Sequence, residues 1–230
     1  MNFLALLGWN SGTEQEIFSM QELIEQFSLE RVSKSGAKFD YEKGKWFNHK
    51  YLQEKSNEEL AKIFKEIVKE KTCHCGLDPQ PHNKNTVLSA IAGQARNDSS
   101  QKLEQIIGLV KERVNFVSEL WEQASFFFVA PSVYDEKTVQ KRWTTETPSL
   151  MRELISVLQT IDDFSPANTE EIVKSWIAEK GYNKGAVMNA FRLSVVGAPK
   201  GPHMFDIAAI LGKEETIARI ERAIEKLITY

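Results

Sequence analysis

Apolar residues set three and four positions apart, segment after segment, limit this chain's fold most, because that spacing lines one face of an α-helix and not of a strand. Leu23, Ile24 and Phe27 share a face in the segment opening at Gln21, with Ser19 placed to cap it. Asp40 stands in capping position before Trp46, Phe47, Tyr51 and Leu52. Ser56 and Glu59 fit a capping box ahead of Leu60, Ile63, Phe64, Ile67 and Val68. Leu103, Ile106, Ile107 and Val110 begin a stripe that Val114, Val117, Leu120 and Trp121 continue. Phe126 to Val129 make a dense apolar run closed by Pro131. Further helices are predicted over 148–161, from Asn168 or Thr169 to Gly181, and over 183–196, 204–211 and 214–227. Gly181 and Gly197 sit in C-cap position, and Gly212 forms a hinge. Strand signals are scarce and no internal repeat is visible.

The rhythm fails between Cys73 and Ser99, which holds Gly76, Pro79, Pro81, Gly93 and several asparagines. That stretch is expected to be a poorly ordered loop with a short helix near Val87–Ala92. The expected fold is therefore all-α, a two-lobed helical bundle or cage. A first lobe covers 1–72, an inserted loop 73–99 and a second lobe 100–230. A chain of 230 residues, 42% of them hydrophobic, has enough apolar matter for one or two cores.

Little in the sequence points to bond-making chemistry. There is no glycine-rich phosphate loop, no Gly-x-Ser-x-Gly elbow and no His-Glu-x-x-His helix. Aspartates and glutamates are spread as on a solvated surface. Cys73 and Cys75, separated by one residue, cannot make an ordinary disulfide framework. With His74 and His82 they lack the spacing of a structural zinc site. A reducing, cytoplasmic compartment is the simplest expectation. The run Phe3–Leu7 has no basic flank and is too short for a signal peptide. No stretch approaches the roughly 18–20 apolar residues of a membrane span.

The formal net charge of -3 argues weakly against a dedicated nucleic-acid binder, but the distribution is uneven. Residues 1–30 contain Glu14, Glu16, Glu22, Glu25 and Glu30 and no Lys or Arg. Then come Arg31, Lys34, Lys38, Lys43, Lys45 and Lys50, interleaved with Phe39, Tyr41, Trp46, Phe47 and Tyr51. Cations for phosphates beside aromatic faces for unstacked bases suit single-stranded RNA loops. An amphipathic helix with aromatics in the core and lysines in water has the same composition. A second candidate is Arg192 followed by Gly197-Ala198-Pro199-Lys200-Gly201-Pro202-His203, a loop able to bring its backbone close to a partner. An ordinary connection between helices is the plainer reading of that loop.

Several strings resemble one family. Asn2-Phe3-Leu4-Ala5-Leu6-Leu7-Gly8-Trp9, Phe27-Ser28-Leu29-Glu30-Arg31-Val32 and Trp46-Phe47-Asn48-His49-Lys50-Tyr51-Leu52 are similar to the helical half of bacterial-type glutamyl-tRNA synthetases. So are Arg192-Leu193, Phe205-Asp206-Ile207, Leu211-Gly212-Lys213-Glu214 and Arg219-Ile220-Glu221. The resemblance spans nearly the whole chain except about 73–99, where Cys75–Gln80 and Ala92–Asp98 look like a translated repeat element. It implies the carboxy-terminal anticodon-binding region of a class I enzyme that joins glutamate to tRNA with ATP and magnesium. The His-Ile-Gly-His-like and Lys-Met-Ser-Lys-like motifs of its Rossmann-type catalytic half are absent, and Val32-Ser33-Lys34-Ser35 lies among neighbours that match a different segment. The resemblance thus implies no cofactor and no catalysis in this chain alone.

It further implies partnership with a glutamate-accepting tRNA and with the catalytic domain, a monomeric state and no membrane. It gives Arg192, Gly201 and Met204 as anticodon contacts and Gln53 where some relatives carry a base-reading arginine. Lys34, Lys43, Lys45 and Lys50 would attract the anticodon stem. The alternative expectation is a helical protein-interaction remnant without RNA affinity.

Overall fold

The structure, a computed structural model, describes residues 1–34, 36–74 and 96–227. The short helix expected near 87–92 and the side chains of the cysteine–histidine cluster lie outside the described residues. The described residues form helices joined by turns, with one isolated antiparallel bridge between Trp9 and Val32. The all-helical expectation holds.

The first helices are α1 (Asn2–Leu6), α2 (Met20–Gln26), α3 (Tyr41–Glu54) and α4 (Asn57–His74). Their starts are set locally. Ser19 and Glu22 exchange side-chain and backbone bonds in a capping box, Asp40 accepts from Lys43 N at 3.0 Å, and Ser56 and Glu59 repeat the box. Asn2 is buried and clasps Phe18, donating to its carbonyl at 2.7 Å and accepting from its N–H at 3.0 Å. That pair folds the 7–19 segment back over α1.

Next come α5 (Arg96–Val110), α6 (Leu120–Ala124), α7 (Glu136–Arg142), α8 (Thr147–Gln159), α9 (Pro166–Lys180), α10 (Lys184–Val196), α11 (Met204–Leu211) and α12 (Lys213–Leu227). α4 packs along α5, and α12 lies against α8, α10 and α11. One continuous cluster of buried side chains links Leu52, Phe64 and Val68 to Ile106 and Phe128, then to Phe191, Phe205 and Ile224. The residues on either side of the 75–95 segment thus share a core.

Three expectations shift. The helix predicted to open at Asn168 or Thr169 starts at Pro166. Proline suits a first turn because its missing N–H is not needed there. Asn168 instead donates to Asp163 O at 2.7 Å, and Thr169 is fully buried. α7 lies where no helix was predicted, capped by Asp135, which accepts from Thr138 N at 2.8 Å. The stripe through Val114 and Val117 is not one helix: α5 stops at Val110 and a 3-10 turn, Lys111–Arg113, follows. The cause lies across the molecule, in α3.

Candidate nucleic-acid interface

One face of α3 carries Asn48, His49 and Gln53, and all three are used on the 111–115 backbone. Gln53 Nε2 donates to Lys111 O at 2.9 Å, Asn48 Nδ2 donates to Asn115 O at 2.7 Å, and His49 Nδ1 meets Val114 O at 2.8 Å. Lys111 Nζ replies by donating to Gln53 O at 2.7 Å and to Lys55 O. These side chains satisfy carbonyls that a longer α5 would have satisfied internally. The Gln53 amide, a base reader by resemblance, is therefore already engaged through its nitrogen.

The lysines of this region differ from one another. Lys43 pairs with Glu16 at 2.7 Å, and Lys45 pairs with Glu42 at 3.0 Å while lying 4.6 Å from the Tyr41 ring centre. Hydrogen bonding to Glu42 raises the Lys45 pKa above its ordinary value. Lys50 lies 5.6 Å from the Trp46 ring centre, and Lys34 is exposed. Such surface pairs are weak and exchange readily for a phosphate. Of the interleaved aromatics, Phe39, Tyr41, Trp46 and Tyr51 are exposed, whereas Phe47 is buried and belongs to the core.

The second region is built around the end of α10. Gly197 stops the helix at φ 80°, its N–H donating to Leu193 O at 2.8 Å. A side chain there would clash, since a Cβ would stand 2.8 Å from Pro131 Cβ and 3.0 Å from Val133 O. Gly197 O accepts from Asp135 N at 2.9 Å, pinning the loop to the 131–135 segment. At the loop's far end His203 sits between Glu170 and Asp206, at 3.6 and 3.5 Å. Near the end of α10, buried Arg219 donates to Glu215, to Phe126 O at 2.6 Å and to Val195 O at 3.1 Å.

Arg192 reaches this loop from one turn before the end of α10. Its Nη1 is buried and has no hydrogen-bond partner among the described residues. A Cβ on Gly201 would stand 3.0 Å from that nitrogen, so Arg192 and Gly201 are neighbours. Burial pushes the Arg192 pKa below its ordinary value, and the like charge of Arg113 adds to the shift. Beside Gly201 is a cavity of about 370 Å³ bordered by Phe126, Gly197, Ala198 and Lys200. Met204 is only 1% exposed and packs in the core. Its side chain is a floor under the loop, not a surface contact, because the first turn of α11 points it inward.

The fold and this loop define an all-helical anticodon-binding domain. Residues 79–224 match the anticodon binding domain family, and the chain belongs to that family. Over 227 residues it is 52% identical to the glutamate–tRNA ligases of Phocaeicola vulgatus and Bacteroides fragilis, a match covering 99% of this chain and 40% of each ligase. The crystal structure of a glutamate tRNA ligase from Elizabethkingia meningosepticum in complex with its amino acid superposes with a TM-score of 0.81 at 39% identity, over 98% of this chain and 40% of that one. Glutamate-tRNA synthetase from Elizabethkingia anophelis gives 0.76 at 38% identity, over 97% of this chain and 39% of that one. The chain thus spans about 40% of the length of these relatives.

Proposed function

We propose that this chain binds the anticodon end of a glutamate-accepting tRNA in the cytoplasm, as the recognition part of a glutamate–tRNA ligase. The observation that carries the reading is Arg192: a half-buried guanidinium with an unpartnered Nη1, held against Gly201 at the loop surface. Leaving a buried donor unsatisfied is costly, so such a group is poised for a ligand that accepts a hydrogen bond. A splayed base offers both an acceptor edge and a face for the planar guanidinium. Exposed Phe39, Tyr41 and Trp46, with Lys34 and Lys50, add stacking surface and attraction for phosphates.

The reaction itself, with ATP and magnesium, is assigned to the remaining part of the ligase. An apolar surface supports such a neighbour. Apart from Ile63 and Val133, every exposed large apolar side chain among the described residues lies within 1–51, including Leu4, Ile24 and Leu29. Exposed apolar side chains concentrated in one region of the chain are what a neighbouring domain would cover.

The test is titration of a glutamate tRNA and of an anticodon-altered transcript. Wild type should prefer the first, with affinity falling steeply as salt rises. Arg192→Ala should weaken binding by about 1–3 kcal/mol. Unchanged affinity in the variant would remove Arg192 from the interface. Affinity for a protein partner that ignores salt, with none for tRNA, would favour a helical interaction module instead.

A further inference from the structure

Gly201 borders two features at once. One is the Arg192 guanidinium, whose Nη1 would lie 3.0 Å from a Cβ placed there. The other is the cavity of about 370 Å³ lined by both the glycine loop and α6, within the rough 300–1,000 Å³ range of small-ligand clefts. The α6 side contributes Glu122, Gln123 and, just past the helix, Phe126. Gln123 is partly buried, yet its amide makes no hydrogen bond among the described residues. Such an amide on a cavity wall leaves a donor and an acceptor free for an occupant.

The rest of the lining narrows what that occupant is. Val133 is 79% exposed, and with Ile63 it is one of two large apolar side chains left in water outside residues 1–51 among the described residues. It lines this cavity together with Phe126, so an occupant with an apolar face would find a surface to cover. Glu122 and Lys200 also line it, both exposed and without an ion pair among the described residues. A phosphate in the cavity would be repelled by the Glu122 carboxylate. A neutral base would not, and Lys200 is left for the adjoining phosphate.

We infer that this cavity holds one unstacked base and that Gln123 reads the hydrogen-bonding edge of that base, a specificity contact separate from Arg192. The inference rests on the proposed reading of this loop as tRNA-binding. An amide donates and accepts side by side, so it pairs with two adjacent groups of a base edge and discriminates among bases.

The experiment titrates wild type, Gln123→Ala and Gln123→Met with glutamate tRNA and with transcripts that each carry one altered anticodon base. Methionine keeps the length of glutamine and removes its hydrogen bonds, so the fold should melt close to wild type. Both variants should lose about five- to fiftyfold in affinity for every transcript except the one altered at the base that Gln123 reads. Binding of that transcript should stay as in wild type, and the salt slope should not change. A loss shared equally by all transcripts overturns the inference, because Gln123 would then support the fold or the backbone. So does an affinity for every transcript as high as in wild type. Either result leaves the anticodon reading standing, whereas failure of wild type itself to bind tRNA overturns both.

Discussion

Two arginines lose water in this molecule and are held differently. Arg219 is fully buried; Glu215 and the Phe126 and Val195 carbonyls meet its Nε and Nη1, while its Nη2 has no hydrogen-bond partner among the described residues. It ties the end of α10 to the loop after α6. Glu215→Ala should therefore strand a buried cation and cost about 3–5 kcal/mol of stability, read by denaturant unfolding. A smaller loss would mean that water reaches Arg219. Arg192 has no such partner, and its neighbours separate two roles that the resemblance joined. Gly201→Ala places a methyl against the Arg192 guanidinium, which is the movable end of a flexible side chain. It should lower tRNA affinity and also cost stability, because Gly201 stands at φ 159°, which L residues rarely adopt. Met204→Ala should destabilise the fold by about 2–5 kcal/mol through a core cavity while the folded protein keeps its tRNA affinity. An equal loss of affinity in the two folded variants would contradict that division. Arg192 and Gly201 were legible as a loop motif, but the clamp on 111–115 was not, because Lys111-Glu112-Arg113 reads as an ordinary solvated stretch of mixed charge.

At the level of elements, α3 carries most of what the periodicity did not reveal. Its basic, aromatic-rich sequence suggests a nucleic-acid surface, yet one face is spent on the backbone of 111–115. That clamp ends α5 at Val110. Asn48→Ala should cost about 0.5–1.5 kcal/mol and speed amide exchange across 111–116. Exchange as slow as in wild type would show that the clamp does not depend on Asn48. Capped starts behaved differently. Ser19, Asp40 and Ser56 were predicted from spacing alone, since a cap needs only residues three apart. Asn168 was a wrong choice of cap because Pro166 could open the helix earlier and freed the amide to hold Asp163.

Across the whole molecule, polarity is distributed unevenly. From α4 onward the apolar residues close into a large core and a small cluster of Tyr134, Val139, Leu193, Ala223 and Leu227, while the first fifty residues keep Leu4, Ile24, Leu29 and Phe39 in water around a small cluster of Trp9, Phe18 and Leu23. Surface of that kind limits solubility when nothing covers it. Leu4→Glu with Leu29→Glu should raise the solubility limit of this chain without lowering its melting temperature. A fall in melting temperature would show that these side chains support the fold instead of awaiting a neighbour.

Spacing alone determined that the chain is helical, where most helices begin and that Gly197 ends one of them, because backbone bonding and capping are settled within a few residues. Family likeness, also carried by the sequence, singled out Arg192. Only the tertiary structure decided that Val114 lies outside a helix while Val117 opens a separate 3-10 turn, that Phe47 and Met204 are core, and that Arg192 turns a buried, unpartnered Nη1 toward Gly201. Those outcomes depend on which distant groups compete for a carbonyl, a cavity or a charge, and that competition takes place only once the helices have packed.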